Sequence, residues 1–214
     1  MAAPIDDSTK ASLDNLSSLT AGGVIVDIGT GDGRFVYRSA RTNPAKFYIG
    51  IDAQPKPLQK ISMKATRKAG RGGARNVIFL QASVEDLPTE LNDTADEIHI
   101  HFPWGSLLRA VATADENILR ELHRISRRDC LLEVVIGIDQ ERDRKQIQQL
   151  GLPCLSADYV DKTLTPRYEA VGFKIRERGI LPRSDWSQLH SSWARRLQSN
   201  DRREVVYLIA EARK

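Results

Sequence analysis

Apolar and polar positions along this chain follow two periods that take turns, one of two residues and one near 3.6. Short apolar runs bounded by turn residues fall near 24–28, 47–52, 76–81, 96–102 and 130–137, and they predict strands. Between them, stretches with apolar residues three and four apart predict helices near 33–42, 56–69, 106–111, 115–127 and 141–150. Strand and helix in alternation predict βαβ units around a parallel sheet. The last third departs from that rhythm. A helix near 161–171 ends at Gly172, strand-like residues 173–181 (FKIRERGIL) follow, and a final strand spans Glu204 to Ala212. Two closing strands without a crossover helix predict an antiparallel hairpin on one side of the sheet. Between them Trp186, Leu189, Trp193 and Leu197 keep helical spacing, which also fits a buried stripe.

The first predicted strand runs into glycines at alternate positions: VIVDIGTGDG, with Gly29, Gly31 and Gly33. Such a turn bends sharply and lets a ligand approach the main chain without Cβ obstruction. In a parallel sheet it lies at the carboxyl edge, where ligands bind. Asp27 adds negative charge just before the first glycine, which suits hydroxyls, an amine or a sulfonium better than phosphates. The spacing is G-x-G-x-G rather than the G-x-G-x-x-G of dinucleotide sites, which disfavours a nicotinamide-dependent oxidoreductase. The second strand ends in Asp52, placed to accept from a ribose diol. Asp52 and Asp32 equally suit the role of caps on the helices that follow them. S-adenosylmethionine fits the whole pattern.

Composition narrows the class. A length of 214 residues fits one domain over 1–214, with the polar N-terminal 20 residues expected to be partly ordered. No apolar run reaches membrane-spanning length and MAAPIDDSTK is not a leader, so a cytoplasmic protein without a membrane partner is expected. Cys130 and Cys154 are isolated and the four histidines lack ligand spacing, so no metal is expected. The net charge is only +4, but its distribution is uneven. From Lys56 to Arg75 the chain carries seven cations and no acid. Lys56, Lys60, Lys64 and Lys68 recur every four residues, with Arg67 and Arg71 beside them, so on a helix they would form one basic stripe. Solvated helix faces mix signs; a run of one sign points to a polyanion. Arg124–Arg127–Arg128, Arg195–Arg196 and Arg202–Arg203 are further basic clusters.

At the exit of the fourth strand stands HIHFPWGSLL, His99 to Leu108. Pro103 stops sheet pairing, so Phe102, Pro103 and Trp104 project at the carboxyl edge beside the glycine loop. They offer an aromatic face on which a base can stack. Trp193 sits in SSWARRL, among basic residues, with core packing and function both open.

Taken in order, DIGTGDGR (27–34), FYIGIDA (47–53), RGGARNVIF (71–79), EDLPTEL (85–91), FPWGSLL (102–108), GLPCLS (151–156) and SSWARRL (191–197) span most of the chain. This series resembles the aminoglycoside-resistance 16S rRNA (adenine(1408)-N1)-methyltransferases of the kanamycin–apramycin type. A more distant resemblance, to transfer RNA (guanine-N7) methyltransferases, rests on the first two blocks. The resemblance implies a Rossmann-like class I fold, α/β, with a seven-stranded, mostly parallel sheet and an antiparallel C-terminal hairpin. It implies S-adenosylmethionine as donor, S-adenosylhomocysteine as product, and the 30S subunit, at helix 44, as partner of a monomer.

Residue by residue, the resemblance implies that Trp104 and Trp193 sandwich the target adenine, with Phe102 and Pro103 at the same turn. Donor-binding roles fall on Asp27, Gly29, Gly31, Gly33, Asp52, Ala53, Ser83, Val84 and Glu85, together with Trp104, Ser106 and Ser191. RNA-contacting roles fall on Lys64, Arg67, Lys68, Arg71, Arg196, Arg202 and Arg203, within linkers near 53–75, 138–160 and 182–203. Asp201 stands where an arginine is expected, with Arg202 as its substitute. Enzymes that methylate exocyclic base amines place an acid or amide before a Pro-Pro-aromatic turn; Phe-Pro-Trp has none. Adenine N1 needs none, because it already presents a lone pair. A non-catalytic RNA-binding protein would keep the basic patches without needing the glycine loop and its two acids.

Overall fold

The computed structural model describes residues 22–181 and 204–214. Its strands form one seven-stranded sheet in the order β3-β2-β1-β4-β5-β7-β6. They are β1 Val24–Ile28, β2 Phe47–Asp52, β3 Val77–Gln81, β4 Ala95–His101, β5 Ser126–Ile138, β6 Phe173–Leu181 and β7 Glu204–Ala212. The pairs among β1 to β5 are parallel, and β7 runs antiparallel between β5 and β6. The expected closing hairpin is therefore present, its second strand inserted into the sheet.

Helices α1 Arg34–Thr42, α2 Pro55–Ala65, α3 Gly105–Thr113, α4 Glu116–Ile125 and α5 Arg144–Leu150 connect the strands. A last helical stretch comprises α6 Ala157–Tyr159, a π-helical turn at Val160–Leu164, and α7 Thr165–Ala170. Strand β1 is buried along its whole length because helices cover both faces of a parallel sheet. Val24, Val26 and Ile28 join Ile98, Ile100, Leu119 and Leu132 in the larger core. Ile25 faces the other way, into a cluster with Val36, Tyr37, Ile61 and Ala65 from α1 and α2. Strand β4 divides its residues in the same manner: Ile98 and Ile100 are fully buried, while Glu97, His99 and His101 line the opposite face.

Four expected boundaries move most. Helix α2 stops at Ala65 instead of 69, so Lys56, Lys60 and Lys64 share it but Arg67, Lys68 and Arg71 do not. Adjacent like charges weaken the helix there, and the glycines that follow let the chain turn back. The Ala74 N–H donates to the Ala65 carbonyl at 2.9 Å, and a 3₁₀ turn occupies Ala69–Arg71. Helix α4 ends at Ile125, and β5 begins four residues earlier than expected, where Arg127 is held extended by Asp96 at 2.9 Å. Helix α5 begins at Arg144 rather than 141, because Asp139 accepts from the Glu141 and Arg142 N–H groups and fixes a turn first.

Candidate active site

The carboxyl ends of β1, β2 and β4 open onto a cleft of about 640 Å³, inside the range of roughly 300–1,000 Å³ usual for small-ligand sites. Its floor is the loop after β1. The Gly29 and Thr30 N–H groups both donate to the Ile51 carbonyl, at 2.8 and 3.0 Å, which ties the loop to β2. Gly31, at φ +59°, takes a left-handed turn that an L side chain resists, and among the described residues nothing lies within 4 Å of where a Cβ would stand. Asp52 braces this loop from the side: one carboxylate oxygen accepts from Gly31 N–H and the other from Gln54 N–H, both at 2.8 Å. The two readings of Asp52 thus coexist. It holds the N–H of Gln54, the residue that precedes α2, and it also lines the cleft with acceptor capacity left on its carboxylate.

Gly29, Gly31, Asp52 and Ala53 line the cleft on the β1–β2 side, as their positions predict. Ser83, Val84 and Glu85 line it from the 3₁₀ turn after β3, where Ser83 caps the turn and Val84 is buried. Opposite stand Phe102, Pro103, Trp104 and Ser106. Phe102 has φ +50°, uncommon for an aromatic residue, and its N–H donates to the Val135 carbonyl at 2.7 Å. That contact pins the turn, Pro103 is buried in it, and Trp104 emerges at the start of α3 with 54% of its surface exposed. A large aromatic side chain left half in water beside a cleft is the feature to explain.

Asp27 and Gly33 are not in the cleft wall. Asp27 lies beneath the loop at 4% exposure, and a Cβ on Gly33 would meet the Phe79 ring at 2.6 Å, so that glycine serves packing. Burial pushes the Asp27 carboxyl above its ordinary range; His101 opposes this most, followed by the Thr30 hydroxyl and His99, while Asp52 adds to the rise. Lys64, Arg67, Lys68 and Arg71 lie apart from the cleft, on α2 and the loop after it. Trp193, Ser191, Arg196, Arg202 and Arg203, with Trp186 and Asp201, fall outside the described residues. Sequence reasoning missed His101, Gln54, Pro57 and Leu107 as lining residues. The alternation His-Ile-His into the Phe-Pro-Trp turn carried the signal for the first, and direct continuation from Asp52 carried it for the next two.

The glycine-loop cleft at the carboxyl edge of a 3-2-1-4-5-7-6 sheet defines a Rossmann-like class I methyltransferase. Solved structures agree. A tryptophan-to-alanine variant of the 16S rRNA (adenine(1408)-N(1))-methyltransferase from Catenulisporales acidiphilia, with cosubstrate SAM, superposes with TM-score 0.86 at 30% identity, covering 99% of this chain and 93% of that one. The aminoglycoside resistance methyltransferase NpmB1 gives 0.79 at 38% identity, with 95% and 93% covered. The Escherichia coli 16S rRNA (adenine(1408)-N(1))-methyltransferase is 38% identical over 178 residues, 81% of this chain and 80% of its own length. The family model of NpmA, 16S rRNA (adenine(1408)-N(1))-methyltransferase, matches residues 5–212. This chain belongs to that family, whose members use S-adenosylmethionine.

Proposed function

We propose that the protein methylates N1 of adenine 1408 of 16S rRNA within the 30S subunit, conferring aminoglycoside resistance, with the base held by Trp104 and Trp193. The observation that carries this reading is a half-exposed tryptophan fixed on a rigid turn across the cleft from a braced glycine loop. The donor fits that loop: Asp52 has acceptor capacity for a ribose diol, the Gly31 backbone is unobstructed, and Val84 offers an apolar wall. S-adenosylmethionine supplies an electrophilic methyl on a sulfonium. N1 attacks with its lone pair, the N–C bond forms as the C–S bond breaks, and the electron pair leaves on sulfur. No side chain needs to remove a proton first, consistent with Phe102 standing where other base methyltransferases place an acid or amide.

What the chain must supply is position. Extruding a base costs a few kcal/mol, and stacking returns roughly 1–3 kcal/mol per base. Two indole faces can offset extrusion, whereas one falls short. Methylated adenine is cationic, and a cation between indoles is further favoured. The deep groove of A-form RNA is closed to side chains, so the substrate is selected by surface shape, with Lys64, Arg67, Lys68 and Arg71 against the backbone and Arg196, Arg202 and Arg203 nearer the base. Primer extension on 16S rRNA from expressing cells tests the assignment, because N1 methylation blocks Watson–Crick pairing. A stop at adenine 1408 is expected. No stop at adenine 1408, with labelled methyl recovered in transfer RNA instead, would replace this reading with the guanine-N7 one, because N7 lies off the Watson–Crick edge and leaves the polymerase unobstructed.

A further inference from the structure

Beneath the glycine loop the sheet carries a polar constellation that methyl transfer as derived above does not use. Asp27, His99 and Glu133 stand in register across β1, β4 and β5, and Glu97 and His101 flank His99 on the same face. The rings of His99 and His101 stack with centroids 5.0 Å apart and planes within 12°. Phe35 covers both, at 5.8 and 5.5 Å. Glu97 lies 3.5 Å from His99 Nε2, and Glu133 lies 2.6 Å from His101 Nε2. Lys46 closes the outer end, 2.8 Å from Glu97. Both Nδ1 atoms are buried without hydrogen-bond partners among the described residues. Each of these groups costs desolvation that an apolar sheet face avoids, so a structural role alone is an expensive explanation.

We propose that the His99–His101 stack is a positioning element for Asp27: a positive charge on His99, anchored by Glu97 and stacked against the His101 ring that Glu133 holds, keeps this buried carboxylate ionised beneath the cationic methyl donor. The inference rests on the donor lying in the glycine-loop cleft. His101 is the one member of the stack that also lines that cleft, two residues beyond the pair formed by Asp27 and His99. The groups that bear on Asp27 are His101 and His99 from β4, Thr30 from the loop and Asp52 from β2. Burial works against charge on His99, but Glu97, with Glu133 and Asp27 behind it, prevails and holds that ring above the ordinary histidine value. The direction is therefore fixed. Removing the stacked cation leaves only the Thr30 hydroxyl against burial and Asp52, both of which favour the protonated, uncharged form. A protonated Asp27 cannot offset the donor's charge.

Two measurements test this. Calorimetric titration of the full chain with S-adenosylmethionine between about pH 6 and 8.5 compares wild type with His101→Gln and His99→Gln. Each unit by which the variant raises the Asp27 pKa costs up to about tenfold in affinity below that pKa, so the variants' deficit should grow toward the acid end and shrink toward wild type at the alkaline end. A deficit of the same size at every pH would show a merely structural role, and no deficit would show none; either overturns the proposal. If Asp52→Asn also bound the donor as tightly as wild type, the placement of the donor itself would fail and take the proposal with it. Histidine ¹⁵N spectra of the wild type need no variant. The His99 ring should be doubly protonated at neutral pH, and a neutral ring there would overturn the inference.

Discussion

The loop after β1 and the turn after β4 face each other across one cleft, yet they are built from opposite materials. The first is main chain: glycines, two N–H groups on the Ile51 carbonyl, and the Asp52 carboxylate holding Gly31 and Gln54. The second is side chain: a left-handed Phe102 tied to Val135, a buried Pro103, and an exposed Trp104. A backbone cradle presents the same groups to any nucleoside-like ligand, so it fixes a ligand class. A projecting indole at a set angle fixes a partner. The contrast explains why the glycine loop is weakly diagnostic as sequence, whereas FPWGSLL is specific.

The two sides should therefore break differently. Trp104→Ala is expected to lower methyl transfer to 30S subunits by about 100-fold, the upper end of a lost stacking face, with donor affinity much less affected; Trp193→Ala should match it. Turnover assays beside calorimetry separate the two quantities. Full activity in either variant would refute the sandwich.

Asp52→Asn should do the reverse. Losing a charged acceptor of two backbone hydrogen bonds at 2.8 Å should weaken S-adenosylmethionine binding by about 10- to 30-fold. The maximal rate at saturating donor should move little, and an unchanged Kd would remove Asp52 from the donor site.

Charge reversal at Lys64, Arg67, Lys68 and Arg71 tests a third surface, remote from both sides of the cleft. It should weaken 30S binding by about tenfold and flatten its dependence on salt, while leaving donor affinity intact. Filter binding at several salt concentrations reads both effects.

The smallest effect lies under the cleft. The hydrogen bond with His99, then that with Lys46, holds Glu97 down at about 2 from an ordinary 4.5. A carboxylate whose folded pKa is depressed stabilises the fold above its unfolded pKa and loses that contribution as pH falls toward the folded value. Glu97→Gln should therefore cost about 1 kcal/mol near neutrality, less than the shift alone implies because the group is a third exposed. The gap between variant and wild type should close between about pH 4.5 and 2; denaturant unfolding across that range measures it.

Much of this molecule could be read from its sequence. Strands β1, β2 and β7 fall where the apolar runs place them, because burial on both faces writes a continuous apolar signal. Asp52, Ser83 and Trp104 were legible because strand ends deliver them to the carboxyl edge. The end of α2 was not. Its basic stripe keeps helical spacing to Lys68, but spacing records no repulsion, and the backbone pairing of Ala74 with Ala65 is set by tertiary contact. That Asp27 is buried was not legible, since a period of two states which face a residue takes and not its depth. The polar row of Glu97, His99 and His101 was visible as alternation, but its partner Glu133 comes from another strand, a pairing that only the sheet order supplies.

The most direct measurement of the central claim is transfer of labelled methyl from S-adenosylmethionine to purified 30S subunits, comparing native subunits with subunits in which adenine 1408 is replaced by guanine. Guanine N1 carries a proton and offers no lone pair in the plane of the ring. Label in the native subunits and none in the substituted ones is the predicted result; equal labelling of both would contradict the account.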